Sequence, residues 1–91
     1  MPYAMRAVIP GMTQQQYDAM MQQLGPRFRA QPGFVFHMAG PAEDGWYVIE
    51  TWESQAAHEA WVREVIIPAM QAAGVAPFHQ EPLPLHNAFG R

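Results

Sequence analysis

The chain predicts an α+β fold of ferredoxin-like order, βαββαβ, with a four-stranded antiparallel sheet. Three observations carry this reading. The stretch Gly45–Ser54, GWYVIETWES, reads as a strand that runs straight into a helix cap. Asp44-Gly45 between two apolar runs is a hairpin signal. Two amphipathic helical patterns each follow an extended run, one near Thr13 and one after Ser54.

Taken in order, Tyr3–Ile9 is a short β-rich run closed by Pro10-Gly11. Thr13 and Gln16 form a capping box, and Met12 with Tyr17 form a hydrophobic staple. Tyr17, Met20, Met21 and Leu24 then make one apolar stripe. Gly25-Pro26 is expected to stop this helix. Pro32-Gly33 marks a turn, and Phe34–Ala39 is the second strand. Trp46–Glu53 returns antiparallel to it, with Trp46, Val48, Glu50 and Trp52 alternating against Tyr47, Ile49, Thr51 and Glu53. Ser54 caps a second helix over roughly 55–73, in which Pro68 should introduce a bend because its ring clashes with the Glu64 carbonyl. Gly74 is placed to end it. Phe78–Phe89 is the last extended segment, and Pro82 and Pro84 suit an edge strand.

Two helices cover one face of such a sheet. The other face spans roughly 20 by 20 Å, on the order of 400 Å². Both rows of Gly45–Ser54 are largely apolar, so this second face also needs a cover. Burying it is worth about 10 kcal/mol per protomer before association costs. The expectation is a homodimer joined through the sheets.

The composition narrows function by exclusion. The 91 residues, read as one domain over 1–91, carry a net charge of −3, and all five basic residues are arginine. No basic stripe exists for nucleic-acid phosphates. No apolar run reaches the roughly 18–20 residues of a membrane span, and no signal peptide is evident, so a cytoplasmic protein is expected. There is no cysteine, which removes thiol catalysis and thiolate metal sites. The histidines and carboxylates show no metal-ligand spacing, so no metal is expected.

Glu50-Thr51-Trp52-Glu53-Ser54 resembles the E-x-W-x-S signature of the antibiotic-biosynthesis-monooxygenase (ABM) superfamily of dimeric α+β barrel proteins. Gln16-Tyr17-Asp18, His37-Met38-Ala39-Gly40-Pro41, Gly45-Trp46 and Pro84-Leu85-His86-Asn87-Ala88-Phe89 extend the similarity over most of the chain, toward a mostly uncharacterised subgroup. The resemblance implies cofactor-independent oxygenation of a planar phenol, quinol or anthrone-like molecule. It leaves a non-catalytic, small-molecule-binding or stress-response dimer as the alternative, because one fold hosts many chemistries. The heme-degrading branch has a Trp where Trp61 stands. Its ligating His would fall at Gln71, and its first-strand Asn is missing from Tyr3–Ile9.

The candidate acid/base groups are His37, Glu50 and His86. If the hairpin pairs Pro41 with Trp46, His37 lies opposite Glu50. A slip of one residue puts Thr51 opposite His37. Glu50 interrupts an apolar row and needs a partner, either His37 or Arg6 on the neighbouring first strand. Tyr17, Trp46, Trp52 and Trp61 are expected to wall a cavity for an aromatic ligand. Asn87 and Arg6 are candidates for stabilising developing negative charge. His58 is expected to face solvent or the sheet edge.

Overall fold

The computed structural model describes residues 2–76 and 78–88. The sheet comprises β1 (Tyr3–Pro10), β2 (Phe34–Ala42), β3 (Gly45–Trp52) and β4 (Gln80–Leu83), in the order β2-β3-β1-β4 with every pair antiparallel. Helix α1 (Gln14–Ala30) connects β1 to β2. A second helical stretch connects β3 to β4: α2 (Gln55–Trp61), a π-helical turn (Val62–Ile66) and α3 (Ile67–Ala73). This is the βαββαβ order expected from the sequence.

The hairpin pairs Pro41 with Trp46, and therefore His37 with Glu50. Gly45 is required where β3 begins. A Cβ there would lie 2.1 Å from the Ile9 carbonyl oxygen, while the Gly11 N–H donates to the Asp44 carbonyl at 2.8 Å. Between Phe34 and Phe36 the register shifts, so Val35 is an extra residue in β2. The bulge lets Phe34 and His37, three residues apart, share the helix-covered face.

Helix α1 starts as expected. The Gln16 N–H donates to Thr13 Oγ1 at 3.1 Å, and the Thr13 N–H donates to Gln16 Oε1 at 3.0 Å. It does not stop at Gly25-Pro26 but runs on to Ala30. Phe28 is the reason. It extends the stripe from Leu24 and packs at 4.2 Å from the Trp61 ring and 4.8 Å from His37. Proline inside a helix costs about 3 kcal/mol, and burying a phenylalanine within an aromatic cluster offsets a comparable amount.

Ser54 caps α2, accepting from the Ala57 N–H at 3.1 Å. The disturbance expected from Pro68 takes the form of a π-helical turn just before it, in which the Ile67 N–H reaches the Val62 carbonyl. The added residue per turn gives the proline ring room and keeps Trp61 and Val65 both inward. Gly74 ends α3 at φ 71°.

The last strand is shorter than expected, four residues at the sheet edge. Phe89, the expected end of that segment, lies outside the described residues. The core between helices and sheet centres on Leu24, Phe28, Trp52, Trp61 and Val65, with a second cluster of Ile9, Met12 and Val48. Parity along the strands leaves Arg6, Val8, Phe36, Met38, Tyr47, Ile49 and Thr51 on the uncovered face.

Candidate functional site

Four side chains form one hydrogen-bonded line across the helix-covered face. The Tyr17 hydroxyl lies 2.6 Å from His37 Nε2, and His37 Nδ1 lies 2.9 Å from Glu50 Oε2. Trp52 Nε1 donates to Glu50 Oε1 at 3.0 Å. Their placement follows from the elements. His37 and Glu50 are directly paired across β2 and β3, Trp52 is two residues along the same face of β3, and Tyr17 projects from the first turns of α1.

Donor inventory assigns the protons. Indole N–H can only donate, so Glu50 Oε1 accepts. Burial raises the Tyr17 pKa above its usual value of 10.0, with the Glu50 and Asp18 charges adding to the effect. Tyr17 therefore keeps its proton. In the tautomer with the His37 proton on Nδ1, the Tyr17 hydroxyl donates to Nε2 and the Nδ1–H donates to Glu50. The side chains of His37 and Glu50 are 10% and 6% exposed, so the line sits in a low-dielectric setting where such bonds orient their members strongly.

The expected alternative partner of Glu50 is corrected. Arg6 pairs with Ile49, not Glu50, and points to the opposite side of the sheet, where it is exposed. Met5 stands beside Glu50 instead. Arg6 thus cannot reach a ligand between sheet and helices in this protomer. His86 and Asn87 are exposed beyond β4 and line neither cavity described below.

A cavity of about 30 Å³ lies between sheet and helices, with His37, Glu50 and Trp61 in its wall. That is the room of about one water molecule. Trp52 is completely buried and serves Glu50. Tyr17 and Trp46 pack against each other at 5.5 Å, outside the cavity wall. Of the four expected wall aromatics, therefore, only Trp61 lines this cavity. A larger cleft of about 550 Å³ opens between α1 and α3, and Ile9, Met20, Leu24 and Met70 line both spaces.

His58 does not face solvent. It is 4% exposed, lines the inner cavity and packs on the rings of Tyr3 at 5.3 Å and Trp52 at 5.8 Å. Burial lowers its pKa, opposed by the Glu50 and Glu59 charges. The missed signal was a second stripe along α2 and the π-helical turn, in which His58, Trp61, Val62 and Val65 recur at helical spacing. Among the described residues, no group of three His, Cys, Asp or Glu side chains is arranged to hold a metal ion.

Solved structures share the architecture. Rv0793 from Mycobacterium tuberculosis is similar at a TM-score of 0.73 and 18% identity, with 98% of this chain and 100% of that one covered. A putative antibiotic biosynthesis monooxygenase from Chloroflexus aurantiacus is similar at 0.68 and 18%, covering 99% and 98%. SnoaB, a cofactor-independent oxygenase from Streptomyces nogalater, is similar at 0.64 and 16%, covering 99% and 96%. No functionally curated protein matches the chain. The family model for antibiotic biosynthesis monooxygenase matches residues 4–74, a span that takes in every member of the Tyr17–His37–Glu50–Trp52 line, and the chain belongs to that family.

Proposed function

We propose that the protein is a cofactor-independent monooxygenase acting on a planar aromatic molecule with an acidic O–H or C–H, of the quinol or anthrone type. The observation that carries this is the Tyr17–His37–Glu50 line. It is an oriented base, with Glu50 placed to stabilise the imidazolium that forms when His37 gains a proton. His37, which shares the wall of the inner cavity with Glu50, takes the substrate proton, and the Tyr17 hydroxyl and Glu50 hold its imidazole in place. The substrate is left as an electron-rich anion able to react with O₂. The family match and the similarity to SnoaB support this reaction class.

The substrate ring enters from the α1–α3 cleft. Small-molecule sites measure roughly 300–1,000 Å³, and the inner cavity alone is far below that range. We further propose that the uncovered sheet face joins two copies of the chain. Phe36 and Met38, 56% and 44% exposed, lie on it.

Oxygen uptake with quinol and anthrone substrates tests the reaction. The expected result is uptake above background, lowered on the order of 100-fold or more in His37→Ala and lowered also in Tyr17→Phe. No uptake with any substrate, or full activity in His37→Ala, overturns it. A non-catalytic binding module is the second reading. It is favoured by the small inner cavity and by the engagement of both His37 nitrogens, and it predicts ligand binding without uptake. Heme does not fit this arrangement: Trp61 is sealed in the core and Gln71 is an exposed residue on α3.

A further inference from the structure

Of the three tyrosines, Tyr17 is the one whose hydroxyl, among the described residues, rests on a base. It lies 2.6 Å from His37 Nε2, and Glu50 backs His37 at 2.9 Å. When His37 acts as a base toward a ligand, Tyr17 only holds the imidazole in place. The phenol also has chemistry of its own.

A phenol parts with its proton by two routes. Simple ionisation is disfavoured here, because burial raises the Tyr17 pKa and the Glu50 and Asp18 charges raise it further. Loss of an electron is the other route. A phenol radical cation is a very strong acid, so the oxidation becomes easy where a base already holds the hydroxyl. In the tautomer with its proton on Nδ1, His37 offers Nε2 as that base, and the Glu50 carboxylate stabilises the imidazolium that results.

Trp46 supplies a way in. It is half-buried, and its ring lies 5.5 Å from the Tyr17 ring, within the range of aromatic contact. Its buried Nε1 has no hydrogen-bond partner among the described residues. An indole that loses an electron there has no acceptor for its proton. It stays a strongly oxidising radical cation, and the neighbouring Tyr17 can yield an electron and a proton together. Trp52 and Trp61 are sealed in the core, away from any solute. The Glu50 and Asp18 charges near Tyr17 also repel an anionic oxidant such as superoxide, so the oxidant that fits is uncharged.

We propose that Tyr17 is a redox-active tyrosine, giving one electron, directly or through Trp46, to uncharged organic peroxyl radicals while its proton passes to His37 Nε2. The electron converts ROO• to ROO⁻, which takes a proton from water and becomes the hydroperoxide. Tyr17 is left as a neutral phenoxyl radical beside an imidazolium. An external one-electron reductant of the ascorbate class returns the electron, and His37 returns the proton. The sum is ROO• + e⁻ + H⁺ → ROOH. This activity is separate from oxygenation of a substrate and needs no ligand in the cavity.

Pulse radiolysis tests it, with the azide radical as an uncharged one-electron oxidant that attacks tryptophan first. In the unmodified protein the indole-radical absorption is expected to decay as a tyrosyl absorption grows in. That growth is expected to be lost in Tyr17→Phe, which keeps the ring and retains Tyr3 and Tyr47. In His37→Gln, which keeps hydrogen-bonding atoms without a base, it is expected to slow on the order of 100-fold. A tyrosyl signal undiminished in Tyr17→Phe overturns the assignment, and an unchanged rate in His37→Gln overturns the proton transfer. Should His37→Gln not fold, the unmodified protein in deuterium oxide decides. Slower growth is expected there, and equal growth overturns the coupled step. Peroxyl radicals from an uncharged azo initiator test the partner. The unmodified protein is expected to delay bleaching of a fluorescent reporter longer than Tyr17→Phe does, and equal delays overturn the peroxyl role. None of these readouts involves oxygen uptake with a quinol or anthrone, so this inference and the monooxygenase reading fail independently.

Discussion

His58 is a base held where its charged form is poorly solvated. Burial lowers its pKa from the ordinary value of 6.5, and the Glu50 and Glu59 charges only partly oppose this. The folded protein thus binds this proton more weakly than the unfolded chain does. The contribution to stability is fully present above pH 6.5 and is lost as pH falls through the lower, folded-state value. The slope is at most about 1.4 kcal/mol per pH unit for one proton. Urea unfolding at pH 7.5 and pH 5.5 is expected to show a drop in stability that shrinks in His58→Phe. An equal drop in both proteins refutes this role. The sequence shows that a buried carboxylate at position 50 needs a partner, but it leaves His37 and Arg6 as equal candidates. That choice rests on register, which local residue types do not determine. Trp52 offered itself as a ligand wall, yet its N–H is spent on Glu50. An indole can serve either way, and only the geometry distinguishes the two.

At the level of elements, caps and turns were legible because their chemistry is local. Thr13, Ser54 and Gly74 act where the residues around them indicate. What was hidden depends on partners distant in sequence. Helix α1 passes Gly25-Pro26 because Phe28 has Trp61 and His37 to pack on. The Val35 bulge exists because Phe34 and His37 are both drawn to the covered face. Gly45 belongs to the same class. Its need for a hydrogen in place of a side chain comes from Ile9, on a strand 36 positions earlier in the chain. Gly45→Ala is therefore expected to destabilise the fold at or above the upper end of the ~1–3 kcal/mol typical of overpacking, because backbone rather than a flexible side chain must move. Gly25→Ala, at a helical position with open space for a Cβ, is expected to stabilise by about 0.5–1 kcal/mol. Equilibrium denaturation of the two variants side by side checks the contrast. Equal midpoints contradict the close approach.

For the whole molecule the open question is the second face of the sheet. One face is sealed by α1, α2 and α3, and the line from Tyr17 to Trp52 lies under them. The other carries Val8, Phe36, Met38, Tyr47 and Ile49 with one arginine, Arg6. Gly40 adds to its smoothness, since the Tyr47 ring lies where a Cβ at position 40 would be, 2.8 Å from its nearest carbon. Isolated exposed apolar residues are ordinary, but a contiguous patch near 400 Å² marks an association surface. A charge placed on it should leave the protomer intact and break the assembly. Phe36→Asp and Met38→Asp replace side chains already half exposed, so the protomer loses little packing, whereas a carboxylate buried between two sheets without a partner costs several kcal/mol. Sedimentation equilibrium is expected to give twice the monomer mass for the unmodified protein. The double variant is expected at the monomer mass, with an unchanged far-ultraviolet circular dichroism spectrum. A monomeric unmodified protein refutes the sheet-to-sheet dimer, and so does a double variant that stays dimeric. The same experiment separates assembly from chemistry. Every residue of the proton line and of the inner cavity comes from one protomer, so a folded monomeric variant should retain oxygen uptake if those residues suffice. Loss of uptake together with the dimer would mean that the partner holds the site in shape through the sheet beneath His37 and Glu50.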